Sequence, residues 1–277
     1  PMLTTPRINL VGATDPYIAY RYSYAQEIAT TTETIRLFAH DCTNGTFLQP
    51  VAQGGAALAT NGGALLPTPA WSPTTCAHWR TRRASLGGLQ GKVAQVDFRL
   101  DSQGGQNFFL DDVNVFSGCR LNLRVMLEGP FTSGTNTMVD SLRVRSMLPT
   151  TEPYTALAHV FEGEGGGETV LTTVFTVTGN NAIVDWIVVE VRDAIDPTKV
   201  IDSRAALLQR DGDVVDLDGT SNLRIGVPGG SYHVAIRHRN HLGVMTAAAI
   251  ALSQSTALID FSMQATPAWG TDARRLI

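Results

Sequence analysis

VDWIVVEVRD (184–193), RAALLQRDGDVVDLDG (204–219) and IGVPGGSYHVAIRHRNHLGVM (225–245) are three strand-length runs separated by Asp/Gly and Pro/Gly turn signals. In the first run Val184, Trp186, Val188 and Glu190 alternate with Asp185, Ile187, Val189 and Val191, so apolar residues occupy both faces. A strand of that kind belongs in the middle of a sandwich, covered from both sides. In the last run Tyr232, Val234 and Ile236 share one face, and His233, Ala235, Arg237 and Arg239 the other. That is the in/out alternation of a half-buried strand.

Outward from this stretch the chain stays strand-like. Residues 8–38 read strand, turn, strand: Asp15-Pro16 punctuates them, YIAYRYSY (17–24) alternates aromatics with smaller residues, and TIRLFAH (34–40) alternates again. Residues 41–75 are rich in Gly, Ala, Thr and Pro and read as one long loop, a length that is either functional or stapled. WRTRRASL (79–86), AQVDFRL (94–100) and NFFLDDVNVF (107–116) complete the first set. After a seam at 117–120, LNLRVML (121–127) begins a second set. An irregular segment with a helical turn near 138–147 follows, then VLTTVFTV (170–177) and two short closing runs, 247–252 and 257–263. The pattern predicts an all-β chain of two tandem β-sandwiches, 1–117 and 118–277.

A hydrophobic share of 43% against 17% charged residues marks a globular chain, and no apolar run reaches the length of a membrane span. Net charge is −4 with the basic residues scattered, which argues against a nucleic-acid surface. Only Lys92 and Lys199 are lysines; the arginine bias reads as base composition rather than anion recognition. Of the three cysteines, Cys42 and Cys76 lie in the loop-like region, so a Cys42–Cys76 disulfide and a pair of free thiols stand as open alternatives. Cys119 is left over, without an assigned role. The chain begins at Pro1 without an initiator Met or a signal segment, and reads as a piece of a longer protein.

DCTNGTF (41–47) followed by CAHWRTRRASLGGLQGKVAQVDFRLDSQGGQNFFLDDVNV (76–115) resembles the jelly-roll domains of large secreted proteins and metalloproteases of gliding, type-IX-secreting bacteria. That resemblance covers roughly residues 1–117. LRVMLEGPFTSG (123–134), EPYTAL (152–157), VTGNNAIVDWIVVEVRD (177–193), the 204–219 run and YHVAIRHRNHLGVM (232–245) resemble, in order, a carboxy-terminal module of very large surface proteins of the same bacteria, often labelled adhesin- or haemagglutinin-like. The Pro-Gly turn before a Tyr-led last strand is also similar to transthyretin-like repeats, which implies an immunoglobulin- or transthyretin-like second sandwich.

Few residues carry chemistry. Asp211, Asp213, Asp216 and Asp218 do not match the spacing of a helix-loop-helix calcium loop and read as two Asp-Gly turns flanking a short strand. Glu162, Glu164 and Glu168 sit in a Gly-rich loop and read as solvated. Asp111 is expected on the inward side of its strand with Val113 and Val115; the jelly-roll resemblance makes it a candidate ligand of a structural calcium, the one cofactor implied. His238 and His241, three apart on a strand, are expected on opposite faces, which disfavours zinc. The expected alternative is a structural network in which Arg237 or Arg239 pairs with Asp185, Glu190 or Asp193. No G-x-S-x-G, HExxH or phosphate loop occurs, so a catalytic role is not expected.

The resemblance implies a non-catalytic structural or adhesive part of a larger extracellular or cell-surface protein, with the other domains of the precursor as partners. Two alternatives remain: a carbohydrate-binding accessory module of a secreted hydrolase or metalloprotease, and a polymerising subunit of a surface fibre. Exposed aromatics in the first domain, with Trp71, Trp79, Tyr17 and Tyr22 as candidates, would favour a surface glycan. A free sheet edge would favour like subunits.

Overall fold

Alternating strands build the first unit, Pro1–Ser117, and a doubly buried central strand builds the second, Gly118–Ile277. The structure, a computed structural model, describes residues 1–30, 32–45, 47–67, 70–271 and 273. It is all-β with β-sandwich architecture, and each unit is described by itself.

The first unit holds β1 (Met2–Thr4), β2 (Ile8–Asn9), β3 (Pro16–Tyr24), β4 (Thr34–Asp41), β5 (Phe47–Gly54), β6 (Arg80–Ser85), β7 (Val93–Asp101) and β8 (Phe108–Ser117). One sheet runs β1-β7-β4-β5 with β2 also on β7; the other runs β6-β3-β8. Every second residue points inward: Ile18, Tyr20, Tyr22 and Tyr24 meet Ile35, Leu37 and Ala39 of β4 and Ala94, Val96 and Phe98 of β7. The expected long loop is shorter than the sequence implied, because β5 lies inside it. Pro50 hides this strand from a sequence reading, yet β5 ends its sheet, and an edge strand tolerates proline.

β8 carries an extra residue. Ala19 lies opposite Asn114 and Arg21 opposite Asp111, so Asp112 and Val113 together face Tyr20, with Asp112 at φ 50°. The bulge resets the alternation, which lets Leu110 and Val115, five apart, both pack on the core.

In the second unit β9 (Cys119–Leu121), β10 (Leu123–Arg124), β11 (Phe131–Thr132), β12 (Thr137–Met138) and α1 (Ser141–Val144) come first. β13 (Ile183–Arg192), β14 (Val200–Gln209), β15 (Asp213–Val215), β16 (Leu223–Ile225), β17 (Gly230–His238), β18 (His241–Met245), β19 (Ile250–Leu252) and β20 (Ile259–Asp260) follow. The main sheet is ordered β18-β17-β13-β14-β15-β10-β20, with β19 also on β17; β16 pairs β9, and β11 pairs β12.

β13 is buried on both faces. Ile187, Val189 and Val191 join Ala206, Leu208, Val234 and Ile236 against Cys119, Leu121, Leu223 and Ile225 of the β9–β16 pair. On the other face Trp186 and Val188 join Ala205 and Leu207 beneath Leu148, Tyr154, Val170, Phe161 and Val174 of an irregular segment. A register shift between Ile183 and Asp185 turns Val184 into the first of these cores, away from the Trp186 side on which strict alternation had placed it.

That irregular segment replaces an expected strand. Residues Thr172–Thr176 form a 3-10 turn, so Val174 and Phe175 reach the sheet while Leu171 stays exposed. Carboxylates supply the hydrogen bonds a ladder would have made. Glu152 accepts the N–H groups of Tyr154 (2.6 Å), Thr155 (3.1 Å) and Gly167 (2.9 Å). Glu168, expected to be solvated, accepts those of Gly166 (2.9 Å) and Ala205 (3.1 Å). Fully buried Asp202 accepts those of Glu164 and Gly226. The run at 121–127 is likewise split, its residues serving β9 and β10 in different sheets.

Candidate functional site

The last strand of the sequence reading is in fact a hairpin. Arg239-Asn240 form its two-residue turn, and His238 of β17 stands directly opposite His241 of β18. The two histidines therefore face each other, ring centroids 4.8 Å apart, rather than lying on opposite faces of one strand. A turn after Arg239 was missed because Arg-Asn carries neither Gly nor Pro.

The hydrogen bonds fix the tautomers. The Asn240 N–H donates to His238 Nδ1 (3.1 Å), which makes that nitrogen an acceptor. His241 Nδ1 then carries the proton of the 2.9 Å bond to His238 Nδ1, and its Nε2 accepts from the Gly129 N–H (3.4 Å). His238 Nε2 donates to Asp185 Oδ2 (3.1 Å). Asp185 also receives both Arg239 Nη groups, each at 2.7 Å, as a bidentate pair. Side chains of Asp185 and His238 are buried (6% and 4% exposed), while Arg239 reaches solvent. Burial, and then the neighbouring His238, push the His241 imidazole below its ordinary value; Asp185 and Glu128 act in the opposite sense.

A second buried carboxylate lies farther along β13. Glu190 holds Arg192 Nε (2.9 Å) from its own strand and Arg237 Nε (2.6 Å) from β17. β13 is thus fastened twice to the β17–β18 hairpin, at its turn by Asp185–Arg239 and on β17 by Glu190–Arg237, next to an apolar core that ordinary sheet hydrogen bonds already hold. Both nitrogens of His238 are engaged, which leaves it no lone pair for taking a proton from a substrate.

The other expected site residues are scattered. Tyr17 and Tyr22 are buried, Tyr22 in the core and Tyr17 stacked on Phe116, because β3 is the middle strand of its sheet. Trp71 is also buried, its Nε1 donating to Ser23 Oγ (3.1 Å) and its ring against His78. Only Trp79 of the four is part-exposed, and the Arg21 guanidinium lies 5.4 Å over its ring. The expected aromatic platform is therefore turned inward.

Asp111 is exposed, not inward: the β8 bulge moves it to the face of Arg21, and its Oδ1 accepts the Asp112 N–H. Among the described residues no group of three or more His, Cys, Asp or Glu side chains is arranged to hold a metal ion. In the acidic run, Asp213 pairs with Arg124, Asp216 with Arg204 and Arg224, and Asp218 caps the turn at Thr220 and Ser221. Cys42 and Cys76 are free thiols, so the disulfide alternative is not the one realised; Cys42 follows directly on β4 and Cys76 opens a 3-10 turn. Cys119, left without a role by the sequence, is wholly buried, and burial raises its thiol to about 11.

Sequence reading also missed Glu33, a fully buried carboxylate whose Oε2 accepts the Tyr24 hydroxyl proton. Gly105 makes room for it, since a Cβ there would lie 1.8 Å from Glu33 Oε1. Among the described residues no helix is long and apolar enough to cross a membrane. No protein-family model matches this chain, and no curated protein sequence matches it.

Proposed function

We propose that the chain is a non-catalytic structural or adhesive part of a larger extracellular or cell-surface protein. One observation carries this reading: in the most conspicuous polar constellation, Asp185, His238, Arg239 and His241 are spent on one another across β13, β17 and β18. Such groups resist shear between strands rather than poise a nucleophile or a base. The reading also draws on the resemblance of residues 119–270 to modules of surface proteins.

The first-domain carbohydrate-binding alternative is weakened because Tyr17, Tyr22 and Trp71 are interior. Two assays test the proposal. An antibody raised against the chain should label intact source cells, and the purified chain should turn over no ester, peptide, glycoside or phosphoester reporter. Turnover abolished by His238→Ala, or labelling only after lysis, would overturn it.

A further inference from the structure

Beside the Glu190 fastening lies an open groove of about 280 Å³, lined by Arg192, Ala235, Arg237, Gly243, Met245 and Trp269 among others. Its two arginines are in different states. Arg192 is spent: Nε and Nη2 are on Glu190 and Nη1 donates to the Pro197 carbonyl (2.7 Å). Arg237 gives Glu190 only its Nε, and its side chain is half exposed. Its two Nη groups have no hydrogen-bond partner among the described residues, so a buried carboxylate orients the guanidinium while the fork stays free. One carboxylate against two guanidiniums leaves the groove with a surplus positive charge.

Trp269 forms the other wall. The Trp269 indole stands edge-on to buried His233 (centroids 5.5 Å), the residue's backbone N–H donates to the Met245 carbonyl (2.8 Å), and the residue remains 50% exposed. A positioned, half-exposed aromatic next to a pre-oriented, unspent Arg fork fits a ring with an apolar face and a planar oxyanion.

We propose that this groove binds a carboxylated sugar, a uronate residue of an acidic polysaccharide, with the carboxylate on the Arg237 Nη fork and the pyranose against Trp269. An extended acidic peptide is the less suited occupant. The chain's own residues already take the end of this edge nearest Trp269: Thr246 bridges Ala268, the Ala247 N–H donates to the Pro267 carbonyl, and the Trp269 backbone N–H to the Met245 carbonyl. An added strand would have to stop short of Met245, away from the Trp269 wall. The proposal deepens the adhesive reading above and rests on it for the extracellular setting.

Titration of the full 277-residue chain with di- and trigalacturonate, followed by calorimetry or NMR, tests it. Saturable binding is expected, weakened at least about tenfold when the uronates are methyl-esterified and the charged hydrogen bonds are lost. Arg237→Ala should abolish binding while leaving Glu190 paired to Arg192, with thermal unfolding showing that the fold survives. Trp269→Ala should weaken binding of the acid and of the ester alike. No uronate binding, equal binding of the ester, retention in Arg237→Ala, or preference for an acidic peptide would each overturn the proposal. A failed titration removes the ligand class, while the cell-labelling and reporter assays still decide the broader reading.

Discussion

The two units solve the same burial problem with different materials. In the first, two sheets face each other and β4 and β7 each hide one side by strict alternation, so Tyr20 and Phe98 meet edge-on at 5.1 Å between the sheets. In the second, β13 is buried on both faces, and one of those faces is roofed by chain without regular structure. Roofing of this kind must satisfy its own backbone, which is why Glu152, Glu168 and Asp202 are turned inward onto N–H groups. A sandwich made of two sheets needs apolar alternation; a sheet under an irregular roof needs placed carboxylates as well.

The largest expected effect is at the centre of that roofed face. Trp186 is fully buried, donates through Nε1 to the Pro149 carbonyl (2.9 Å), and its own carbonyl accepts the Tyr154 hydroxyl (2.7 Å). Trp186→Ala should destabilise the second unit by about 3–5 kcal/mol in denaturant unfolding. An effect no larger than that of a surface substitution would break the contrast between the units.

Next comes the roof's polar support. Glu152→Ala leaves the N–H groups of Tyr154, Thr155 and Gly167 without their acceptor and should cost about 1–3 kcal/mol for each donor that water cannot reach. Hydrogen exchange should localise the loss: faster exchange across 150–170 with β13 still protected. Uniform acceleration through both units would show that the roof is not a separate element.

The smallest effect is electrostatic. His241 has a folded value below its ordinary 6.5 because of burial and His238, with Asp185 and Glu128 opposing; Arg239 and the Gly129 N–H also face the pair. The unfolded chain therefore takes up the proton first. The contribution of neutral His241 is complete above pH 6.5 and is lost as pH falls through the folded value. His159 shifts in the same direction, chiefly through burial, so His241→Gln should make the acid loss of Tm shallower without removing it. An unchanged pH profile would mean that His241 does not feel the hairpin.

Legibility follows the same contrast. The sequence pattern placed β3, β4, β6, β7 and β8 to within a residue or two, because each shows its period of two directly. It failed where one extra residue resets the period: the bulge at Asp112–Val113 put Asp111 on the wrong face, and the one after Ile183 did the same to Val184. It failed again at 170–177, whose Val, Phe and Thr favour a strand while their packing against Trp186's face selects a 3-10 turn. The pairing of Asp185 with an arginine was readable from charge and period alone. The His238–His241 contact was not, since it depends on a turn at Arg239-Asn240 that no glycine announces. The Arg237–Trp269 groove draws on distant segments and has no local signature.

The central claim is that the polar cluster at the β17–β18 hairpin fastens strands, and a double-mutant cycle between Asp185 and Arg239 tests it most directly. Asp185→Ala alone leaves Arg239 and His238 without their shared partner and should cost about 3–5 kcal/mol, because the carboxylate side is buried. Arg239→Ala should cost less, since His238 still holds Asp185. The coupling energy between the two is expected to lie between about 1 and 3 kcal/mol. A coupling indistinguishable from zero would contradict the claim and return the hairpin's histidines and aspartate to use as a site for chemistry.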